Sequence, residues 1–381
     1  MRPKVSVVKC PDYNENNVTN ALQKALTLIG GLEQVVKKGD KVLLKVNLLQ
    51  AKAPEASITT HPQVVKSLVR ILQDLGAVPL IGDSPGGAFL NIDKTWQVTG
   101  MSQVAEETGA KLVSFEKDSP VKIDNLNGIF FKNFYIARPI LEVDKIISVP
   151  KLKTHGQTLL TGALKNFLGV IPGLQKVEFH RRCPKPFQLA EALVELFSVV
   201  RPQLAVMDSI MALEGNGPGT GGVPRLVGCI LVSKDIVAID AVASSIVKVE
   251  PENVLTTKIA TERNLGQGRL EYIDIVGENI ENVCIKDFKL PKGSPLTSKL
   301  PGFAVKWITS LIRVRPEINK KKCTQCQVCI KSCPVNAVRA VANYLVVDDA
   351  ACIECLCCHE FCPNKAILLK RSFLHRKIVR D

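Results

Sequence analysis

Nine of the thirteen cysteines crowd into forty residues near the C-terminal end, and their spacing repeats. Cys323, Cys326, Cys329 and Cys333 precede Pro334; Cys352, Cys355, Cys358 and Cys362 precede Pro363 at the same intervals. Three thiolates so spaced can wrap three corners of an iron–sulfur cubane, while the fourth, set just before proline, reaches across to the other cluster. The expectation is two 4Fe–4S clusters, one on Cys323, Cys326, Cys329 and Cys362 and the other on Cys352, Cys355, Cys358 and Cys333. Zinc would call for four ligands around one ion, not two matching quartets. Cys357 breaks the shared spacing. It reads as a small buried residue beside a cluster, with a redox thiol as the alternative. His359 reads as a surface or supporting residue rather than a ligand.

The doubled run resembles that of bacterial ferredoxins, so residues 319–370 are expected to form a small α+β ferredoxin-like domain. AVRAVANYLVVDDAA, between the runs, reads as a short helix, a strand and a turn, and AILLKR repeats the pattern after the second run. Such a repeat brings two clusters close enough for electrons to hop between them. The chemistry this implies is one-electron transfer, at a potential the thiolates alone do not set.

Residues 1–290 carry the elements that would give those electrons a destination. VSVVK, KVLLKVNLL, VPLIGD, KLVSF, DKIISVP, LAVMD, VGCILV and YIDIVG are short β-branched runs suited to strands covered on both faces. Amphipathic stretches such as NVTNALQKALTLIG, HPQVVKSLVRILQDLG and PFQLAEALVELFSVV lie between several of them. That alternation predicts an α/β domain with a predominantly parallel sheet, mixed if the alternating GIFFKNFYIARP contributes a hairpin strand.

Ligands of open α/β sheets collect at the carboxyl ends of the strands. There the sequence places Asn47, Asp83 before SPGG, then Lys151, Lys153 and His155, and Asp208 before EGNGPGTGG. An extended chain after Pro150 would set Lys151, Lys153 and His155 on one face. Thr161 would then cap a helix bearing Lys165 and Asn166, offering free N–H groups beside several cations to a phosphate or carboxylate. A solvated basic loop is the competing reading. His155 and Lys153 are the candidates for acid–base work. EGNGPGTGG leads into a strand, not the helix a dinucleotide fingerprint requires, so it reads as a mobile loop or a plain surface turn. Asp208 before it and Glu214 at its start could meet a metal ion or hydroxyl groups. Asp240 reads as structural.

KVLLKVNLL, THPQVV with LIGDSPGG, ISVPKLKTH with TGALKNFLGVIPG, DSIMALEGNGPG and VAIDAVA resemble, in that order, the motifs of the domain-of-unknown-function family numbered 362. Many of its members look like fusions to a C-terminal ferredoxin module. The match spans nearly the whole chain. The resemblance implies an iron–sulfur protein and a shared site at Lys151, Lys153, His155, Lys165, Asn166, Asp208 and Glu214, and brings no settled substrate.

The composition narrows the alternatives. With 381 residues, 46% of them apolar, the chain can bury more than one core. The formal charge of +14 is spread along the chain and aromatics are only 5%, so no stacking nucleic-acid module is expected. The charge reads first as a solvated basic surface, with attraction to acidic partner proteins or small anions second. No apolar run is long enough for a membrane span. MRPKVSVVKC runs straight into strand-like alternation without an export signal, and clustered thiols suit a reducing compartment, so the expected location is cytoplasmic. Residues 291–318 read as a linker with an amphipathic helix whose stripe is Ala304, Trp307, Ile308, Leu311 and Ile312, packed on a domain or, in the minority view, on a membrane surface. Residues 371–381 read as a basic tail. Three functions compete: a redox enzyme whose ferredoxin module relays electrons to or from an anionic ligand, an electron carrier or adaptor, and a maturation or binding protein with structural clusters.

Overall fold

The computed structural model describes residues 2–86, 91–173, 175–291 and 314–371. The expected linker helix and the basic tail beyond Arg371 lie outside the described residues.

Among the described residues up to 291 there are twelve strands: β1 (Lys4–Lys9), β2 (Lys41–Lys45), β3 (Val78–Asp83), β4 (Lys111–Ser114), β5 (Val121–Asp124), β6 (Asn133–Ile136), β7 (Lys145–Ser148), β8 (Lys151–His155), β9 (Leu159–Leu160), β10 (Leu204–Gly215), β11 (Gly222–Ser233) and β12 (Asp274–Gly277). The main sheet runs β12-β1-β11-β10-β7-β2-β3-β4. Its neighbours are parallel except where β11 pairs antiparallel with both β1 and β10, so the sheet is mostly parallel and mixed. GIFFKNFYIARP supplies β6, which pairs with β5 in a separate hairpin and not in that sheet.

Alternation explains why both faces are covered. Val42 and Leu44 of β2 enter a core with the helices Glu15–Leu28 and Pro62–Asp74, while Leu43 faces an aromatic core with Phe115, Phe134 and Phe167. A third core gathers under the helices Pro186–Val199 and Ile236–Ile246.

The site is set up by one long strand. β10 pairs with β7 only through Leu204 and Ala205, and then runs on past the end of β7. After Pro150 the chain continues as β8 along that overhang, with Lys151 opposite Asp208 and Lys153 opposite Leu213. EGNGPGTGG is the turn that sends β10 back as β11. The overhang thus carries the expected lysines beyond the sheet's carboxyl edge.

The cysteine runs fold as a twofold repeat. β13 (Val314–Ile318) pairs with β16 (Ile367–Arg371), and β14 (Val338–Val341) with β15 (Tyr344–Val347). Val314–Ile318, inside the stretch expected as linker, therefore belongs to the module's own pairing. AVRAV is strand β14 rather than the expected helix, because its β-branched residues find a partner in YLVV. Short helices, Val328–Lys331 and Cys357–Phe361, follow left-handed residues at matching places, Gln325 and Gln327 in the first run and Glu354 and Leu356 in the second.

Candidate functional site

Two ion pairs root the site in the sheet. The Lys45 ammonium lies 2.6 Å from Asp83, with both side chains fully buried at the ends of adjacent strands. Asn166 ties them to the next layer: its Oδ1 accepts from Lys45 and from Asn47, and its Nδ2 donates to the Lys45 carbonyl and to Ser148. On the overhang, Lys151 lies 2.8 Å from Asp208. Tyr13 accepts from Lys151 and donates to Asp208, and its ring stacks on His61 with centroids 3.5 Å apart. Each of these lysines is neutralised by a carboxylate, as buried charges require.

Lys153 and Lys165 have no carboxylate within ion-pair distance among the described residues. Lys153 Nζ donates to Asn47 Oδ1 at 2.5 Å and to the Ile58 carbonyl at 2.8 Å, neutral acceptors both. Burial, with Lys165 and Lys151 adding to it, pushes its pKa down to about 7. Lys165 is buried at the end of the short helix Gly162–Asn166, and among the described residues its ammonium has no hydrogen-bond acceptor. Burial pushes its pKa down while the Glu360 carboxylate pushes the other way.

That helix is not capped as expected. Thr161 has helical dihedrals, which aim its hydroxyl away from the first turn. The Asp240 carboxylate takes the place instead, accepting from Ala163 N at 2.6 Å and Leu164 N at 3.0 Å. Gly162 makes room with φ +62, since a Cβ there would lie 2.6 Å from Asp240. The N–H groups expected to face an anion are thus already occupied, which leaves the lysine side chains as the groups an anion could meet.

The cysteine-run module forms the other wall. His155 Nδ1 accepts from Gln157 N and Thr158 N, which leaves the proton on Nε2, 3.0 Å from Glu360 Oε1 in an oblique approach. Burial, reinforced by Lys165, drops His155 to about 4, so the ring is neutral. Burial works against the Glu360 anion as well, yet His155 and Lys165 outweigh it and hold the carboxyl well below its usual range. His180, also near Glu360, is lowered to about 4 by burial, and its Nδ1 has no partner. Gln50 donates to the Glu360 carbonyl at 2.7 Å, Thr220 to the Cys362 carbonyl at 2.7 Å and Lys52 to the Pro363 carbonyl at 3.4 Å.

The glycine turn is part of this contact. Gly217, Gly219 and Thr220 are buried, and a Cβ at Gly219 would lie 2.3 Å from the Glu360 carbonyl oxygen. The glycines expected to let a mobile loop meet a ligand instead let a packed turn meet the module's backbone.

Asn47, Asp83, Lys153, His155, Lys165 and Asn166 therefore converge on one buried region, and Lys151 with Asp208 forms an adjoining closed pair. Glu214 does not join them: its Oε2 accepts from Lys289 N, and the Lys289 ammonium lies 3.9 Å away. Sequence reasoning passed over Lys45, hidden in a strand pattern, and Glu360, hidden inside a cysteine run. It also passed over Gln50, His180 and Lys176, whose ammonium donates to the Ser84 and Pro85 carbonyls.

The cysteines face voids of their own. Cys333 of the first run lines a common cavity with Cys352, Cys355, Cys357 and Cys358 of the second. Conversely, Cys329 interacts electrostatically with Cys362 as well as with Cys323 and Cys326. Ala337 N donates to Cys333 Sγ and Ala366 N to Cys362 Sγ, each at 3.2 Å, so the fourth thiol of each run is held by a backbone amide. Soft sulfur donors in crossed sets, supported by N–H groups, suit iron–sulfur clusters.

Comparison with known proteins gives two family matches. Residues 315–363 match the family described as 4Fe-4S dicluster domain. Thylakoid-associated protein sll1697 of Synechocystis sp. is 32% identical over 267 residues, 70% of this chain and 80% of that protein. Among solved structures, the lactate racemase apoprotein of Thermoanaerobacterium thermosaccharolyticum overlaps 62% of this chain and 55% of its own, with a TM-score of 0.41 at 10% identity. Residues 42–245, which hold the buried lysines, match the family described as Domain of unknown function (DUF362), and with more than half of its length inside that match the chain belongs to this family.

Proposed function

We propose that the chain is an iron–sulfur redox enzyme in which single electrons pass between a redox partner protein and an anionic ligand held where the α/β domain meets the ferredoxin module. The observation that carries this reading is the seating of the helix Cys357–Phe361, which puts Glu360 3.0 Å from His155 at the mouth of the lysine cluster. A module that only carried electrons would need no such buried polar contact.

Two 4Fe–4S clusters fit the cysteines, one on Cys323, Cys326, Cys329 and Cys362 and one on Cys352, Cys355, Cys358 and Cys333. When bound, they supply one-electron transfer. Lys165 and Lys153 attract the anion, Asn47 and Asn166 orient Lys153 and the floor beneath it, and the neutral His155 holds a proton at Nε2 for transfer. Lys45 with Asp83 and Lys151 with Asp208 position these groups without meeting the ligand. Glu214 has no part in it. Clustered thiols of this kind suit the reducing cytoplasm, while the relative's thylakoid association makes a membrane surface the alternative. Among the described residues no helix is long and apolar enough to cross a membrane.

The test is anaerobic. Protein reduced with dithionite and freed of excess reductant is mixed with small anions fractionated from cell extract, and cluster absorbance is followed. One or more fractions should reoxidise it, and His155→Gln should abolish the response with iron content intact. Electron exchange with redox proteins that ignores His155→Gln, and no response to any anion fraction, would make the chain a carrier instead.

A further inference from the structure

Between the two domains lies a cavity of about 160 Å³. One part of its wall is polar and incompletely satisfied: Lys165, nine-tenths buried with no acceptor among the described residues, beside Gln50 Oε1 and His180 Nδ1, which have no partner either. The rest is largely apolar, with Leu49, Leu168, Val177 and Phe361. Three lysines, Lys165, Lys176 and Lys331, stand against the single carboxylate of Glu360 on this wall, so the sign favours an anion.

Charge, shape and size together narrow the class. An ammonium buried without an acceptor is costly, and an anionic oxygen is what relieves it. Lys176 already donates to two backbone carbonyls and lies 3.9 Å from Glu116, and Lys331 is exposed to solvent, which leaves Lys165 as the one buried ammonium on this wall without an acceptor among the described residues. A phosphate, with its higher charge and greater demand for donors, is poorly matched to one free ammonium on a mostly apolar wall. A cavity of about 150 Å³ admits a benzene-sized molecule, so the occupant has roughly six to nine non-hydrogen atoms, too few for a nucleotide or flavin.

We infer that this cavity binds a small monocarboxylate, its carboxylate on Lys165 and its carbon skeleton against Leu168, Val177 and Phe361. The inference deepens the redox reading and rests on it for the ligand's purpose, though not for its binding. Cys357 lines both this cavity and the void shared by Cys333, Cys352, Cys355 and Cys358, so a bound acid lies one side chain from the second cysteine set.

Isothermal titration of the anaerobic, cluster-loaded full-length chain with benzoate, butyrate and inorganic phosphate tests it. At least one of the two carboxylates should bind saturably at one site per chain, and phosphate should not. Lys165→Met should weaken that binding at least about tenfold, the worth of a charge-assisted hydrogen bond. Should Lys165→Met fail to fold, Val177→Phe fills the apolar part, keeps the lysine and should weaken benzoate by a similar factor. Unsaturable heats for both carboxylates at full iron content, binding indifferent to the substitutions, or tighter phosphate binding would each overturn the inference. Carboxylate binding to protein whose clusters cannot be reduced would leave it standing and sink the electron relay. Reducible clusters without carboxylate binding would do the reverse.

Discussion

The buried lysines differ in how their charge is met, and that difference is measurable for Lys153. Its acceptors are an amide and a carbonyl, and burial with two neighbouring ammonium groups brings its pKa down to about 7. In the unfolded chain a lysine titrates near ~10.4. Between these values the unfolded state binds more protons than the folded one, so stability rises with pH; below about 7 both are protonated and the full cost of burying the charge remains. The slope is at most roughly 1.4 kcal/mol per pH unit. Lys153→Met lacks this titration, so its Tm relative to wild type should be most favourable at pH 7 and should fall steadily by pH 9 in anaerobic calorimetry. A gap constant to within about a degree would mean that Lys153 stays charged throughout. The sequence pointed to Lys153 because a cation two positions from another on an extended segment is visible in one dimension. Lys45 was not visible, because KVLLKV is a good strand whether or not its second lysine meets Asp83 on the neighbouring strand. Only register brings them together.

At the scale of elements, what repeats locally was legible and what is supplied from a distance was not. The cysteine runs announce themselves through spacing, and the overhanging strand β8 was implied by Pro150 and the alternation after it. The cap of Gly162–Asn166 comes from Asp240, 77 residues on, so no local rule could find it. AVRAV was ambiguous because so short a stretch, apolar but for Arg339, suits helix or strand until its partner is known. The crossed cysteine sets make a sharper claim, since each run should complete its neighbour's cluster. Cys362→Ser, in the second run, should therefore damage the cluster held mainly by the first, leaving about four of roughly eight irons per chain. Resonance spectra of the reduced variant should lose the coupling between two centres and keep a single cubane signal. If iron is lost instead from Cys352, Cys355 and Cys358, as judged by protection of those thiols from alkylation, the runs are independent and the crossed assignment is wrong.

For the whole molecule, the decisive feature is that the ferredoxin module is seated on the α/β domain through backbone as well as side chains. Gln50, Lys52 and Thr220 all donate to carbonyls of residues 360–363, so the dock reads a backbone shape. Such a contact leaves no periodicity in either partner, which is why the glycine turn looked like a free loop. Gly219 does not require a left-handed conformation, so alanine there is tolerated by its own backbone and harmful only through the 2.3 Å approach to the Glu360 carbonyl. That oxygen cannot rotate away, and relief requires the helix Cys357–Phe361 to retreat. Gly219→Ala should therefore raise hydrogen exchange in peptides spanning 217–221 and 357–363 together while iron content holds, because the proposed ligands lie within the module. Thr220→Val, which removes one hydrogen bond worth about 1 kcal/mol, should raise exchange in the same peptides by less. If reoxidation by the active anion fraction slows in the order Thr220→Val and then Gly219→Ala, electron passage depends on the dock. If exchange rises and the rate does not change, the two domains work apart and the buried contact around His155 and Glu360 has another purpose.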